Sequence, residues 1–97
     1  MIEEVQGLKE IAASGADVKA FLTTGAGKYL KARAEVEEYN TLRELAFVDP
    51  TDTAKIISAQ IKARVAGSVL NWLANALTEG EAAEFQLQEI LAEKSGF

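Results

Sequence analysis

Residues 47–52 read FVDPTD, and this short stretch separates two long segments with helical periodicity. Pro50, the only proline in the chain, is typical of the first position of a helix, and Asp49 before it can cap free backbone amides. Asp52 adds a carboxylate near the first turn, where the helix dipole favours negative charge. A connection of this length makes two long helices antiparallel neighbours. The stretch therefore predicts a helical hairpin.

The arm before this connection carries one apolar stripe. Its members recur at steps of three and four residues: Tyr29, Ala32, Val36, Tyr39, Leu42 and Ala46. This spacing indicates one face of a helix, and the charged residues between these positions fall on a solvated surface. The pattern predicts a helix over residues 26–46.

The arm after the connection, residues 51–77, has two apolar stripes. The first contains Ile57, Ile61, Val65, Val69, Trp72 and Ala76. The second contains Ala59, Ala63, Ala66, Leu70, Leu73 and Leu77. The stripes lie roughly 130° apart on a helix, so one partner helix cannot cover both. We therefore expect other helices to pack on this arm.

The two flanks of the hairpin are the candidates for those helices. Ser14-Gly15 interrupts the N-terminal flank, so short helices are predicted within residues 1–24. Glu79-Gly80 indicates a break or kink after the second arm, and a last helix is predicted over residues 81–94.

The fold class that these patterns predict is all-α. We expect residues 1–97 to form a single domain, in which an antiparallel long helical hairpin and shorter N- and C-terminal helices make a small bundle.

The composition argues against catalysis and metal chemistry. The chain has no cysteine and no histidine, which excludes thiolate nucleophiles, imidazole bases and tetrahedral zinc sites. Glu35 with Glu38, and Glu81 with Glu84, are acidic pairs that lie among other polar residues, as on a solvated helix face. We expect no enzymatic activity, no cofactor and no metal.

A phosphate-binding loop is suggested by Gly25-Ala26-Gly27-Lys28, but the motif is incomplete. It requires a glycine where Leu22 stands and a serine or threonine where Tyr29 stands. The glycines are better explained as a flexible start of the first arm.

Charge and hydropathy restrict the partners and the compartment. A formal net charge of -5 opposes a primary role in holding nucleic-acid phosphates. No run of about eighteen apolar residues occurs, so we expect no membrane-spanning segment. The N-terminal sequence MIEE is acidic where a signal peptide would be basic, and we expect a cytoplasmic location.

The second arm and the C-terminal stretch contain the candidate interface. Ala59, Ala63 and Ala66 permit close helix contact, either with a flank of the same chain or with a second copy. Trp72 is either a core residue or an interface anchor. The acidic C-terminal stretch either docks on the hairpin or binds a partner as a helix in a groove. The predicted protein-interface residues are Ala59, Ala63, Ala66, Leu70, Trp72, Leu73, Leu77, Phe85 and Leu87.

Contact with other proteins is the leading functional hypothesis, and we expect at least a homodimer. The alternative is a nucleic-acid-associated accessory factor, such as a small DNA-packaging component. Its basis is two groups of basic residues, Lys28, Lys31 and Arg33 in the first arm and Lys55, Lys62 and Arg64 in the second. A hairpin would place these groups at opposite ends, which favours ordinary surface charge.

Several short motifs resemble those of small uncharacterised all-helical proteins of tailed bacteriophages. They cover roughly residues 20–85 and comprise Phe21-Leu22-Thr23, Gly27-Lys28-Tyr29-Leu30, Arg33-Ala34-Glu35, Val48-Asp49-Pro50 and Val69-Leu70-Asn71-Trp72-Leu73. The resemblance implies a virion component, or an assembly, chaperone or scaffolding factor. It also implies phage structural proteins as partners and a location in the cytoplasm of an infected bacterium or in the virion. It implies no active-site residue.

Overall fold

The computed structural model describes residues 2–94, and its regular structure consists of three helices: α1, Ile2–Phe21; α2, Gly25–Phe47; and α3, Thr53–Lys94. No strand occurs among the described residues. The expected all-α fold class is therefore confirmed.

Side chains at the helix starts determine where α2 and α3 begin. The Thr24 hydroxyl oxygen accepts a hydrogen bond from the Gly27 amide at 3.0 Å and caps α2. The Asp52 carboxylate accepts a hydrogen bond from the Lys55 amide at 3.1 Å, at the start of α3. In α2 and in α3, one backbone amide of the first turn is therefore hydrogen-bonded to a side chain.

The connection between α2 and α3 differs in detail from the prediction. Asp49 does not cap α3, because its carboxylate accepts hydrogen bonds from the Thr51 amide at 2.9 Å and the Thr51 hydroxyl at 2.7 Å. These bonds close a local turn of the kind that aspartate favours. Pro50 lies in this turn, and α3 begins at Thr53 instead of Thr51.

Two glycines that predicted helix breaks lie inside helices. Gly15 is a buried residue within α1, so the N-terminal flank is one helix and not several short ones. Gly80 is a buried residue within α3, and the second arm and the predicted last helix are continuous. Glycine disfavours a helix interior by only about 1 kcal/mol, which a tertiary contact can offset.

The described residues divide into two compact units. Residues 2–23 and 73–94 form one, named here the α1 unit, and Thr24–Trp72 form the other, named the α2 unit. Each unit therefore combines a shorter helix with one part of α3: its C-terminal part in the α1 unit and its N-terminal part in the α2 unit.

In the α2 unit, the buried positions hold small residues. Gly27, Ala34 and Thr41 are the buried residues of α2, and they recur every seven residues. Ala59 and Ala66 are buried on α3 at the same spacing. The buried Thr41 hydroxyl donates a hydrogen bond to the Glu37 carbonyl at 2.7 Å, so burying this polar group leaves no donor unsatisfied.

The predicted apolar stripe of the first arm is not the buried face of α2. All six of its members are exposed: Tyr29, Ala32, Val36, Tyr39, Leu42 and Ala46. The physical reason is size, since small side chains allow two helices to approach closely and large ones do not fit between them. The large residues of α2 therefore lie outside the contact.

In the α1 unit, two glycines face each other across the helix contact. A Cβ atom added to Gly15 would lie 2.7 Å from the Gly80 Cα and 2.8 Å from the Ala76 carbonyl oxygen. A Cβ atom added to Gly80 would lie 2.7 Å from the Gly15 Cα. Only hydrogen fits at either position, so the two helices touch through their backbones.

Candidate interaction surface

In an ordinary core the large apolar side chains are the most buried, whereas in this protein the small ones are. We call this pattern inverted burial. Among residues 2–94, the buried apolar side chains are alanines, Ala34, Ala59, Ala66 and Ala83, and no large side chain is fully buried. Many of the large apolar residues are exposed and the others are half-buried. In the α2 unit the exposed ones form two groups, one on α2 and one on α3. These two groups constitute the candidate interaction surface.

The α2 group consists of aromatic and aliphatic residues on the outer side of the helix: Tyr29, Val36, Tyr39 and Phe47. Arg43 joins two of them. Its guanidinium donates a hydrogen bond to the Tyr39 hydroxyl at 3.4 Å and lies 6.0 Å from the centre of the Phe47 ring. An arginine in contact with aromatic rings is typical of protein interfaces.

The α3 group is a stripe that we name the basic-flanked stripe. Its exposed apolar members are Ile57, Ile61, Val65 and Trp72, of which Val65 is 61% and Trp72 is 69% exposed. Steps of four, four and seven residues place these side chains on one helical face. Lys62 and Arg64 are exposed on either side of it.

A groove of about 350 Å³ runs between α2 and α3 within the α2 unit. Its apolar lining comes from Leu30, Ala34, Ile61, Val65, Ala66 and Val69. Arg33, Glu37 and Lys62 also line it, and Arg33 forms an ion pair with Glu37 at 2.8 Å. Ile61 and Val65 therefore belong both to the groove and to the basic-flanked stripe.

The residues predicted to form an interface fall into three classes of exposure. Ala59 and Ala66 are buried within the chain, at 1% and 7% exposure. Ala63, Leu70, Leu73, Leu77 and Leu87 are half-buried. Trp72 and Phe85 are exposed. Ala59 and Ala66 are buried within the α2 unit, which contains neither flank of the predicted hairpin. The expectation that a flank or a second copy covers the alanine stripe is therefore wrong for these two residues.

The structure also separates the predicted residues. Ala59, Ala63, Ala66, Leu70 and Trp72 belong to the α2 unit, whereas Leu73, Leu77, Phe85 and Leu87 belong to the α1 unit. The 69% exposure of Trp72 contradicts the core alternative for this residue.

The sequence analysis identified Tyr29, Val36 and Tyr39 on one stripe and Ile57, Ile61 and Val65 on another, but it did not show that these residues are exposed. Periodicity finds such residues but does not show which of two stripes is buried. The heptad of small residues Gly27, Ala34 and Thr41 was the signal in α2 that could have found the buried face.

The described residues contain no metal-binding cluster and only one titratable group with a resolved shift. No group of three or more acidic side chains among residues 2–94 is arranged to hold a metal ion. Hydrogen bonds from the Thr51 amide and hydroxyl lower the pKa of Asp49. These bonds belong to the local turn between α2 and α3. None of the helices within residues 2–94 is long and apolar enough to cross a membrane.

Comparison of the chain with protein-family models, with curated proteins and with solved structures finds no significant match.

Proposed function

We propose that this chain is a non-enzymatic protein–protein interaction module whose exposed apolar groups pack against helices of its partners. The observation that carries the proposal is the inverted burial, in which alanines are buried and large side chains such as Trp72 and Val65 are exposed. Contiguous apolar residues at a surface are typical of interaction sites.

The energetic argument concerns the size of the exposed side chains. Fully burying one large aliphatic or aromatic side chain stabilises a protein by about 1.5–3 kcal/mol. An alanine side chain contributes much less, so the fully buried positions add little of this free energy to the stability of the single chain. Packing Ile57, Ile61, Val65 and Trp72 against a partner would recover that free energy as binding.

An antiparallel hairpin of α2 and the first part of α3 is the scaffold that we propose for this surface. Its support is that Leu30 and Val69 line one groove, and that a Cβ atom added to Gly67 would lie 2.8 Å from a Glu38 carboxylate oxygen, so α2 and the first part of α3 are in contact. In the proposed arrangement these contacts hold α2 and the first part of α3 side by side, with the bundle completed by partner helices. Each unit then presents a face of fixed geometry.

The partners that we propose are structural proteins of a bacteriophage particle. The support is the resemblance carried by residues 20–85, together with a surface suited to helix packing. The chain would act as a minor structural protein or as a chaperone or scaffolding factor, in an infected bacterium or in the virion. We propose no catalytic step and no cofactor.

Site-specific photo-crosslinking tests this function. A photoreactive residue is placed at Ile61 or Val65 in a tagged chain that is produced during phage infection. Cross-linked products identified by mass spectrometry are expected to contain virion structural proteins. Gln60, which is exposed but lies off the stripe, is the matched control and is expected to give few or none.

Two results would overturn the proposal. One is that the stripe positions give no product above the Gln60 background. The other is that the products are dominated by proteins with no connection to particle assembly.

A further inference from the structure

We propose that one occupant of the basic-flanked stripe is the acidic α1 unit of a second copy of this chain. The inference deepens the proposed function and rests on it, because it names a partner for the same surface. Three observations carry it: surface area, charge distribution along α3, and the residues around Phe85.

The first observation is the exposed area. The chain has a solvent-accessible surface of 7317 Å², whereas a folded monomer of its mass, 10.4 kDa, is expected to expose about 5,400 Å². The excess is about 1,900 Å². A stable protein interface covers about 800 Å² on each partner. The excess is therefore sufficient for an extensive interface with a second copy.

The second observation is the segregation of charge along α3. Residues 53–72 contain Lys55, Lys62 and Arg64 and no acidic residue. Residues 73–94 contain five glutamates and a single lysine. All of these charged side chains are exposed. One helix thus has a basic N-terminal part and an acidic C-terminal part.

The same asymmetry extends to the two units. Residues 24–72 contain seven Lys and Arg against six Asp and Glu, which is a formal charge of +1. The remaining residues contain three Lys and Arg against nine Asp and Glu, which is a formal charge of -6. A contact between the α2 unit of one copy and the α1 unit of another joins opposite charges. A contact between two α1 units would join like charges, which is unfavourable.

The third observation is the local setting of Phe85, an apolar residue that is 62% exposed in the α1 unit. Glu81 and Glu89 lie four residues on either side of it, on the same helical face, and both are exposed. This acidic face therefore matches the basic-flanked stripe, where Lys62 and Arg64 lie beside Ile61 and Val65. Apolar side chains would pack together and carboxylates would meet cations.

A mixing experiment with charge-reversed variants tests the proposal. The first variant carries Lys62→Glu and Arg64→Glu, and the second carries Glu81→Lys and Glu89→Lys. The mass of each is measured by light scattering over a range of protein concentrations. The wild-type chain is expected to associate, and each variant alone is expected to associate at least about tenfold more weakly, since like charges across an interface cost several kcal/mol.

The mixture of the two variants gives the decisive result. Each variant then offers its reversed surface to the reversed surface of the other, and the unreversed surfaces also remain complementary. Association is therefore expected to return in the mixture to near the wild-type level. Circular dichroism on each variant checks that helicity is retained, and a variant with Lys28→Glu and Lys31→Glu controls for the change in net charge.

The possible outcomes separate this inference from the proposed function. A wild-type chain that stays monomeric at all concentrations overturns the self-association, while cross-links from Ile61 to virion proteins would still stand. Association that no charge reversal weakens, or that the mixture fails to restore, overturns the basic-to-acidic pairing. If self-association and rescue are found but cross-links to virion proteins are not, the interaction surface and its pairing with a second copy stand, and the proposal of phage structural proteins as partners fails.

Discussion

Gly15 and Gly80 have a structural role that follows from the absence of a side chain. Their Cα atoms are so close that a Cβ on either residue would lie 2.7 Å from the Cα of the other. Real Cβ atoms do not approach backbone atoms so closely, so a larger residue must push the helices apart. The contact between α1 and α3 in the α1 unit therefore depends on these two residues.

Substituting Gly15 with alanine is expected to destabilise the protein. The added methyl group meets backbone atoms of Gly80 and Ala76, which cannot move independently, and overpacking of this kind costs about 1–3 kcal/mol. Urea unfolding followed by circular dichroism measures the change in the free energy of unfolding.

Gly7→Ala is the matched control for this prediction. Gly7 lies in the same helix, and nothing lies within 4 Å of the Cβ position there. The substitution is expected to stabilise the protein by about 0.5–1 kcal/mol, because alanine favours a helix interior. A Gly15→Ala protein that gains as much stability as Gly7→Ala would contradict the proposed backbone contact.

Asp49 is expected to make the turn between α2 and α3 sensitive to acid. Hydrogen bonds from Thr51 lower its folded-state pKa below the usual value of 3.8. The carboxylate therefore contributes stability above pH 3.8, and that contribution is lost as the pH falls through the folded-state pKa.

The comparison of wild-type protein with the Asp49→Asn variant measures this effect. The difference in their free energies of unfolding is expected to be larger at neutral pH than at pH values below the folded-state pKa. Because Asp49 is exposed, the difference should be small. A difference that grows towards acid pH would show that the charged carboxylate does not stabilise the turn.

In the α2 unit, the close packing of α2 against the first part of α3 depends on small residues. Gly27, Ala34 and Thr41 of α2 are buried at heptad spacing, and so are Ala59 and Ala66 of α3. Small residues at such spacing allow adjacent helices to lie close together, as at the seam of a coiled coil. The larger apolar residues of both helices are then left outside the contact.

Substitution of alanine by leucine on two faces of α2 distinguishes the buried face from the exposed one. Ala34→Leu is expected to lower the free energy of unfolding by about 1–3 kcal/mol, because the larger side chain does not fit between the helices. Ala32→Leu is expected to change it by less than about 0.5 kcal/mol, because Ala32 is exposed. Thermal or urea unfolding of both variants measures the difference. The opposite ranking would mean that the apolar stripe containing Ala32 packs against α3.

Within residues 2–94, no large side chain is fully buried. A folded chain of this length has a small net stability, and apolar contacts with a second copy would add to it. Stability is then linked to the concentration of the protein, because only the folded form associates.

The thermal midpoint is therefore expected to rise with protein concentration. Replacing Ile61 and Val65 with glutamine should reduce that dependence while the helical signal at low temperature is retained, since both side chains are largely exposed in the single chain. Differential scanning calorimetry over a range of concentrations measures both effects. A wild-type midpoint that does not change with concentration would argue against association coupled to folding.

Local sequence determined most of the secondary structure. The periodicity of the first arm and the FVDPTD connection predicted two long helices, and the end of α2 and the start of α3 lie within two residues of the predicted positions. The end of α3 was not predicted, because the helix continues through Gly80. These features depend on helix propensity and on hydrogen bonds between residues near in sequence, so a single chain contains the information for them.

Only the tertiary structure decided which helix faces are buried and that Gly15 and Gly80 contact each other. A helical pattern ranks apolar faces by the size of their side chains, which favoured the stripe containing Tyr29 and Val36. The distance between two helices depends on both of them at once, and close approach selects the faces that carry Ala34 and Ala66 instead. The same reason applies to Gly15 and Gly80. From the sequence alone each indicates a helix break, but in the folded chain each lies inside a helix and allows the two backbones to touch.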